Sequence, residues 1–237
     1  MSLPGTGPAF QIIEQNPRFV VIDKAPGISM HKDDQEAGLA MLLEQALGQK
    51  VWPVHRLDKM TSGLVVFAFS AEVAAELSAA FAEQQVSKLY LALSDRKPSK
   101  KQGRIEGGMV RSRRSSWRLT RDTDNFARTE FYSASLKPGL RAFLCRPYTG
   151  KTHQIRVALK SVGAPIVGDP IYHETVQTQP DRGYLHAWQL RFVLAGETFA
   201  FRADPTIGEL FSLPEVAMLL SGDWSEPFSL RWHGASN

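Results

Sequence analysis

The run Val54-His55-Arg56-Leu57-Asp58-Lys59-Met60-Thr61-Ser62-Gly63 packs an imidazole, a guanidinium, an ammonium, one carboxylate and two hydroxyls into ten residues. The single acid, Asp58, stands between Arg56 and Lys59, and an apolar run, residues 64–69, follows at once. Opposite charge close by favours the ionised carboxylate, which suits a nucleophile or a general base. The same arrangement is also what a structural ion pair of Asp58 with Arg56, Lys59 or Arg156 would look like, and such pairs are common. Residue types and spacing leave both readings open.

Other chemistries lack their parts. Gly150-Lys151-Thr152 has the end of a phosphate loop, but that motif needs a glycine five positions earlier, where Cys145 stands. The six histidines show no metal-ligand spacing. Ser62 has Met60 and Leu64 where a nucleophile elbow needs glycines. A glycosidase would pair two carboxylates, and Asp58 has cations for neighbours.

The elements that must position these residues read as follows. Phe19–Lys24 is a short buried strand ended by Ala25-Pro26-Gly27. Residues 39–47 have helical spacing and stop at Gly48. Residues 64–69 form a central strand, and Ser70 caps a helix over 71–85 whose Val73, Leu77 and Phe81 face the core. Residues 87–93 form a strand, residues 127–135 and 140–145 a hairpin turning at 137–139, and residues 185–194 and 198–202 a second hairpin turning at 195–197. Thr152 is placed to cap a helix ending at Gly163, with Arg156 in its first turn. Residues 207–220 read as a final helix, and the tail from Ser221 is weakly patterned and expected to be loosely held. Hairpins mixed with three or four helices predict an α+β fold: a mixed, largely antiparallel central sheet with flanking helices and loops.

The chain is 237 residues long, enough for one large domain, and it contains no repeat or low-complexity tract. One cysteine, Cys145, excludes an internal disulfide and suits a reducing cytosol, so a cytoplasmic location is expected. The N-terminus lacks the pattern of a signal peptide, and no apolar run is long enough to span a bilayer. The net charge of +4 is unevenly spread. Ten of the 28 Lys and Arg fall between Arg96 and Arg121 beside one acid, Glu106, so this segment carries +9 and the remainder −5. A basic segment on a mildly acidic body is an electrostatic footprint for a polyanion or a solvated loop, and it is expected to protrude as a loop or irregular hairpin.

Taken together, the motifs resemble those of the RluA-type pseudouridine synthases. Residues 55–64 resemble the catalytic motif of that family, residues 19–27 its N-terminal strand and turn, Lys88-Leu89-Tyr90 its Lys-x-Tyr motif, residues 149–157 and 168–172 its third motif, and residues 184–187 a further stretch. They follow one another in the family's order across about residues 10–205, which makes the resemblance specific. It implies the pseudouridine synthase-like fold and the isomerisation of a uridine in ribosomal or transfer RNA to pseudouridine, without a cofactor or metal.

It also implies roles. Asp58 is the essential carboxylate, attacking ribose C1′ or taking a proton from C2′. Tyr90 stacks on the uracil and helps remove the C5 proton, and Arg156 pairs with Asp58. Arg56 fills the gap left by the flipped nucleotide, Ile155 walls the base, and His55 and Thr61 stand among the substrate contacts. Arg111, Arg113 and Arg114 become expected RNA contacts. Ala158 departs from the histidine frequent in the family. No separate N-terminal RNA-binding domain is expected, because the matching strand begins near residue 10. A monomer with RNA as its partner and no membrane is expected. A non-catalytic RNA-binding protein on the same fold is the alternative.

Overall fold

The computed structural model describes residues 7–31, 37–113, 115–174 and 179–232. In chain order its elements are β1 (Phe10–Gln15), β2 (Phe19–Lys24), α1 (Leu39–Leu47), β3 (Trp52–Pro53), β4 (Ser62–Ala68), α2 (Ala71–Ala82), β5 (Ser87–Ser94), β6 (Gln102–Arg111), β7 (Trp117–Thr120), β8 (Phe126–Lys137), β9 (Leu140–Pro147), α3 (Gln154–Ser161), β10 (Leu185–Leu194), β11 (Glu197–Arg202) and α4 (Pro214–Ser221). A single 3-10 turn, Pro227–Ser229, follows. The fold is α+β, and the chain divides into two compact units: residues 1–86 with 187–204, and residues 87–186 with 205–237.

In the first unit the strands run β1-β2-β4-β10-β11, with β3 on the end of β4. The pairs β1–β2, β2–β4, β3–β4 and β10–β11 are antiparallel. Every residue of β4 is buried, as its unbroken apolar run requires. One core gathers Phe19, Val21, Leu64, Val66, Leu77 and Phe192. Each such side chain contributes about 1.5–3 kcal/mol through burial. Helix α2 begins where Ser70 Oγ accepts from the Val73 amide (3.2 Å). Helix α1 ends at Gly48, in the left-handed region, whose amide donates to Glu44 O (2.9 Å). The β10–β11 turn has Ala195 and Gly196 both at positive φ, as a two-residue hairpin requires.

In the second unit the order is β5-β9-β8-β6-β7, with β5–β9, β9–β8, β8–β6 and β6–β7 antiparallel. Four expectations change here. The basic segment is mostly regular: β6 pairs with β8 over residues 102–108 and with β7 over residues 108–111, while residues 96–101 before it lie outside the strands. Glycines at 103, 107 and 108 suggest irregularity, but Gly107 and Gly108 sit where a Cβ would lie within 2.5 Å and 2.6 Å of backbone oxygens, so they admit close approach within the sheet. Thr152 does not cap α3, because His153 takes the cap position in a left-handed conformation and makes no capping bond with its side chain. The last helix is short, Pro214–Ser221, since Pro214 sets its start. Finally, the described part of the tail, up to Trp232, is packed. Trp224 and Trp232 are each 5% exposed, Trp232 Nε1 donates to Pro227 O (2.9 Å), and the Tyr132 ring meets Trp232 edge-on at 5.0 Å.

Among the described residues, no helix is long and apolar enough to cross a membrane.

Candidate functional site

The residues expected to carry chemistry fall in both units, and each set has its own supports. In the first unit the loop 54–61 runs between β3 and β4. A turn closes from the Thr61 amide to Asp58 O (2.9 Å), so Asp58, a half-buried residue, opens a tight reversal. Arg56 is exposed, while Thr61 is 2% exposed. His55 straps the loop to the sheet: its Nε2 accepts from the Val66 amide (3.0 Å), and its ring stacks on Phe81 at 4.3 Å. A ring nitrogen that accepts an amide carries no proton, so this bond selects the tautomer protonated at Nδ1.

Lys24 is the second support; it lies inside the motif stretch 19–27, yet nothing in that stretch shows which carbonyls it holds. At the end of β2 it is fully buried, and its ammonium donates to Ala25 O (2.9 Å), Ile28 O (2.8 Å) and Lys59 O (3.3 Å). The Gly27 amide donates to the same Lys59 carbonyl (2.8 Å). One cation thus ties the 25–28 turn to the turn that carries Asp58. The only sequence signal is a lysine at the end of an apolar strand. Just beyond the loop, Gly63 has φ of 110°, and a Cβ there would lie 2.3 Å from Ala187 O in β10. Any other residue would push the loop's exit away from the neighbouring strand.

In the second unit Tyr90 lies on β5 opposite Cys145 of β9 and is half-buried between the buried Leu89 and Leu91. Cys145 is fully buried, and burial pushes its thiol up. Ile155 (7% exposed) and Arg156 (3%) occupy the first turn of α3. The helix start is locked by Gln154, whose amide group donates to Arg128 O and Thr129 Oγ1 (both 2.9 Å) while its oxygen accepts from Thr149 Oγ1 (2.7 Å) and the Lys151 amide (3.0 Å).

Arg156 forms a two-pronged ion pair with Asp169: Nε to Oδ2 at 2.7 Å and Nη2 to Oδ1 at 2.8 Å. Asp169 Oδ1 also accepts from the Ile171 (2.9 Å) and Tyr172 (3.1 Å) amides. Both side chains are almost wholly buried, which gives the guanidinium one fixed orientation. Asp169 and Gln154 lie inside motif stretches, yet nothing in their local sequence shows what they do, because their partners are distant along the chain.

Of the basic candidates, Arg111 and Arg113 are exposed at the β6–β7 turn, with the Arg111 guanidinium 5.6 Å from the Trp117 ring. Arg114 lies outside the described residues. Not all of the segment's charge is available. Glu106 pairs with Arg104 and with Arg128 (both 3.2 Å), and Lys100 Nζ donates to Arg104 O (2.8 Å).

Lys88, of the Lys-x-Tyr motif, is 8% exposed, and burial pulls its ammonium down to about 8. Its folded value lies below its unfolded one, so the unfolded chain holds more protons between about pH 8 and 10.4. Charging Lys88 therefore costs stability below pH 8, and the cost is relieved as pH rises through that window. We expect the wild type to gain on a Lys88→Met variant by roughly 1–3 kcal/mol between pH 7 and 10.5, read by urea unfolding at each pH. A pH-independent difference would contradict this.

Among the described residues no cluster of His, Cys, Asp or Glu could hold a metal ion.

Comparison with known proteins adds the following. The sequence profile of the family described as RNA pseudouridylate synthase matches residues 18–161. A Haemophilus influenzae protein named "uncharacterized RNA pseudouridine synthase" is 45% identical over 219 residues, covering 92% of this chain and 97% of that one. A Pasteurella multocida protein named tRNA pseudouridine synthase C is 32% identical over 77% of this chain and 85% of its own length. Among solved structures, human RNA pseudouridylate synthase domain containing 4 superposes with a TM-score of 0.69 at 25% identity, covering 87% of this chain and 92% of that one.

Proposed function

Because the chain belongs to the RNA pseudouridylate synthase family, whose profile spans residues 18–161, we propose that it isomerises a particular uridine in a structured ribosomal or transfer RNA, with Asp58 as the essential carboxylate and the target nucleotide flipped out of its stack. The observation that supports Asp58 most is its setting. It opens a turn whose Lys59 carbonyl is held by the buried Lys24 ammonium, in a loop that His55 ties to β4, so the carboxylate is presented from a fixed frame. A preorganised group of this kind costs little reorganisation at the moment of reaction.

The chemistry needs nothing beyond the chain. The Asp58 carboxylate attacks ribose C1′, or takes the C2′ proton, and the bond from C1′ to N1 breaks. The uracil turns and C5 bonds to C1′ as the Asp58–C1′ bond breaks on the first route, or as Asp58 returns the proton to C2′ on the second. The C5 proton then leaves, N1 ends protonated, and atoms balance without an added reactant. Tyr90 offers a ring on which a detached uracil can stack, and Ile155 an apolar wall. Arg156 supplies a positive charge whose direction Asp169 fixes. Arg56, planar and exposed, suits filling the space a flipped nucleotide leaves, which offsets part of the few kcal/mol that flipping costs. His55 and Thr61 act beside them mainly by holding the loop.

The name of the Pasteurella relative specifies transfer RNA. Here the RNA class is read by experiment: wild-type protein is incubated with each RNA pool, which is then digested to nucleosides. Uridine consumed should equal pseudouridine formed. Release of free uracil would replace the isomerase by a glycosidase, and tight RNA binding without conversion would favour a binding protein.

The exposed turn of the basic hairpin supplies phosphate contacts in this reading. Changing Arg111, Arg113 and Arg114 to glutamine should weaken RNA binding and flatten its dependence on log salt by about 0.7–0.9 for each phosphate no longer neutralised. An unchanged slope would make that turn bystander charge.

A further inference from the structure

Tyr172 connects the basic hairpin, the start of α3 and the Arg156 ion pair. It is 4% exposed, and its ring packs with Met109 of β6, Ala127 of β8 and Val157 of α3, against Trp117 and Leu119 of β7. Phenylalanine would fill that place equally well, so packing does not account for the hydroxyl. The hydroxyl accepts from the amide of Trp117, the first residue of β7 (2.7 Å), and shares a hydrogen bond with Nδ1 of His153, the residue before α3 (2.9 Å). The Tyr172 ring centre lies 5.1 Å from the Arg156 guanidinium. Its amide donates to the same Asp169 oxygen that receives Arg156 Nη2. On the hairpin side, Trp117 carries the Arg111 guanidinium over its ring.

We propose that Tyr172 is a positioning residue that couples the β6–β7 hairpin to Arg156, so that RNA held by the hairpin sets the guanidinium for the reaction. This rests on the isomerase reading above. The hydroxyl joins the backbone at the start of β7 to the His153 side chain at the start of α3, two places far apart in sequence. A displacement of the hairpin is therefore passed to the helix turn that carries Arg156. Misplacing a reacting group by about 1 Å can cost up to 10²-fold in rate.

The test uses full-length protein and a stem-loop RNA containing a uridine that the wild type converts. Tyr172→Phe keeps the ring, the apolar cluster and the ring's contact with Arg156, and removes only the hydroxyl. The single-turnover rate at saturating RNA should fall about tenfold with Kd for the RNA changed less than about twofold. The hairpin variant Arg111→Gln/Arg113→Gln should also lower the saturated rate, by about threefold, in the wild-type background, and should lower it no further when combined with Tyr172→Phe. Rates that multiply independently, or a Tyr172→Phe rate equal to wild type, overturn the coupling. The other end of the link gives a second check. His153→Ala should reproduce the rate deficit, and His153→Asn, which tolerates the φ of 58° and offers a polar partner, should recover most of it. No deficit, or no recovery, also overturns it. A wild type that makes no pseudouridine in any RNA defeats the isomerase reading instead.

Discussion

Replacing Asp58 by asparagine should abolish pseudouridine formation, lowering the single-turnover rate at least ~10³–10⁴-fold, while RNA affinity stays within about twofold. The amide has the shape of the carboxylate but neither attacks C1′ nor accepts a proton from C2′ in water, and general-base or nucleophilic roles account for effects of this size. The substitution should leave the loop intact because the described supports run through other atoms. The turn uses Asp58 O and the Thr61 amide, Lys24 holds Lys59 O, and His55 holds the Val66 amide. Rate and Kd measured on one RNA separate the two effects. Product from the variant at the wild-type rate would remove Asp58 from the chemistry.

The second large effect is expected at Asp169. Its side chain is fully buried, takes both prongs of Arg156 and accepts two backbone amides besides. Asp169→Ala strips all four bonds and leaves the buried guanidinium without this carboxylate. Breaking one side of a buried ion pair costs about 3–5 kcal/mol. In a chain of this size that lowers the melting temperature by about 2–4 °C per kcal/mol. Asp169→Asn keeps an oxygen for the Ile171 and Tyr172 amides and should be less destabilised. Thermal and urea unfolding of both variants decide the matter, and a change below about 1 kcal/mol for Asp169→Ala would mean that Arg156 is not held as the geometry indicates.

Asp169 also marks what sequence can reveal. Features governed by neighbours a few residues away are legible: the Ser70 cap, the Gly48 stop, the buried run of β4 and the turn at Ala195-Gly196 all follow from short-range stereochemistry. Features set by distant partners are not. Strand β1 has no clean alternation, and β2 recruits it across a register shift between Ile12 and Glu14. The basic segment reads as a loop by composition, yet β8 pairs along residues 102–108 of β6 and β7 along residues 108–111, which makes most of it a strand. The tail lacks periodicity because single large residues, Trp224 and Trp232, anchor it in place of a repeating face.

The candidate site divides in the same way. Asp58, Tyr90 and Arg156 are legible through motif order, and the family match supports the activity those motifs imply. The residues that hold them are silent in sequence. Lys24 looks like the end of a strand, Gln154 like an ordinary helix residue, and Thr152 like a better cap than the left-handed His153. Lys24 and Gln154 have their effect through bonds to chain segments far away in sequence, Lys24 to Lys59 and Gln154 to Arg128.

The central claim is that this chain makes pseudouridine in RNA through Asp58. Its most direct test maps pseudouridines across total RNA from cells with the gene, without it, and with the gene restored as wild type or as Asp58→Asn. The expected result is at least one position, in ribosomal or transfer RNA, that is modified with the gene, unmodified without it, modified again with the wild type and still unmodified with Asp58→Asn. Identical maps in all four strains, or full recovery by Asp58→Asn, would contradict the claim.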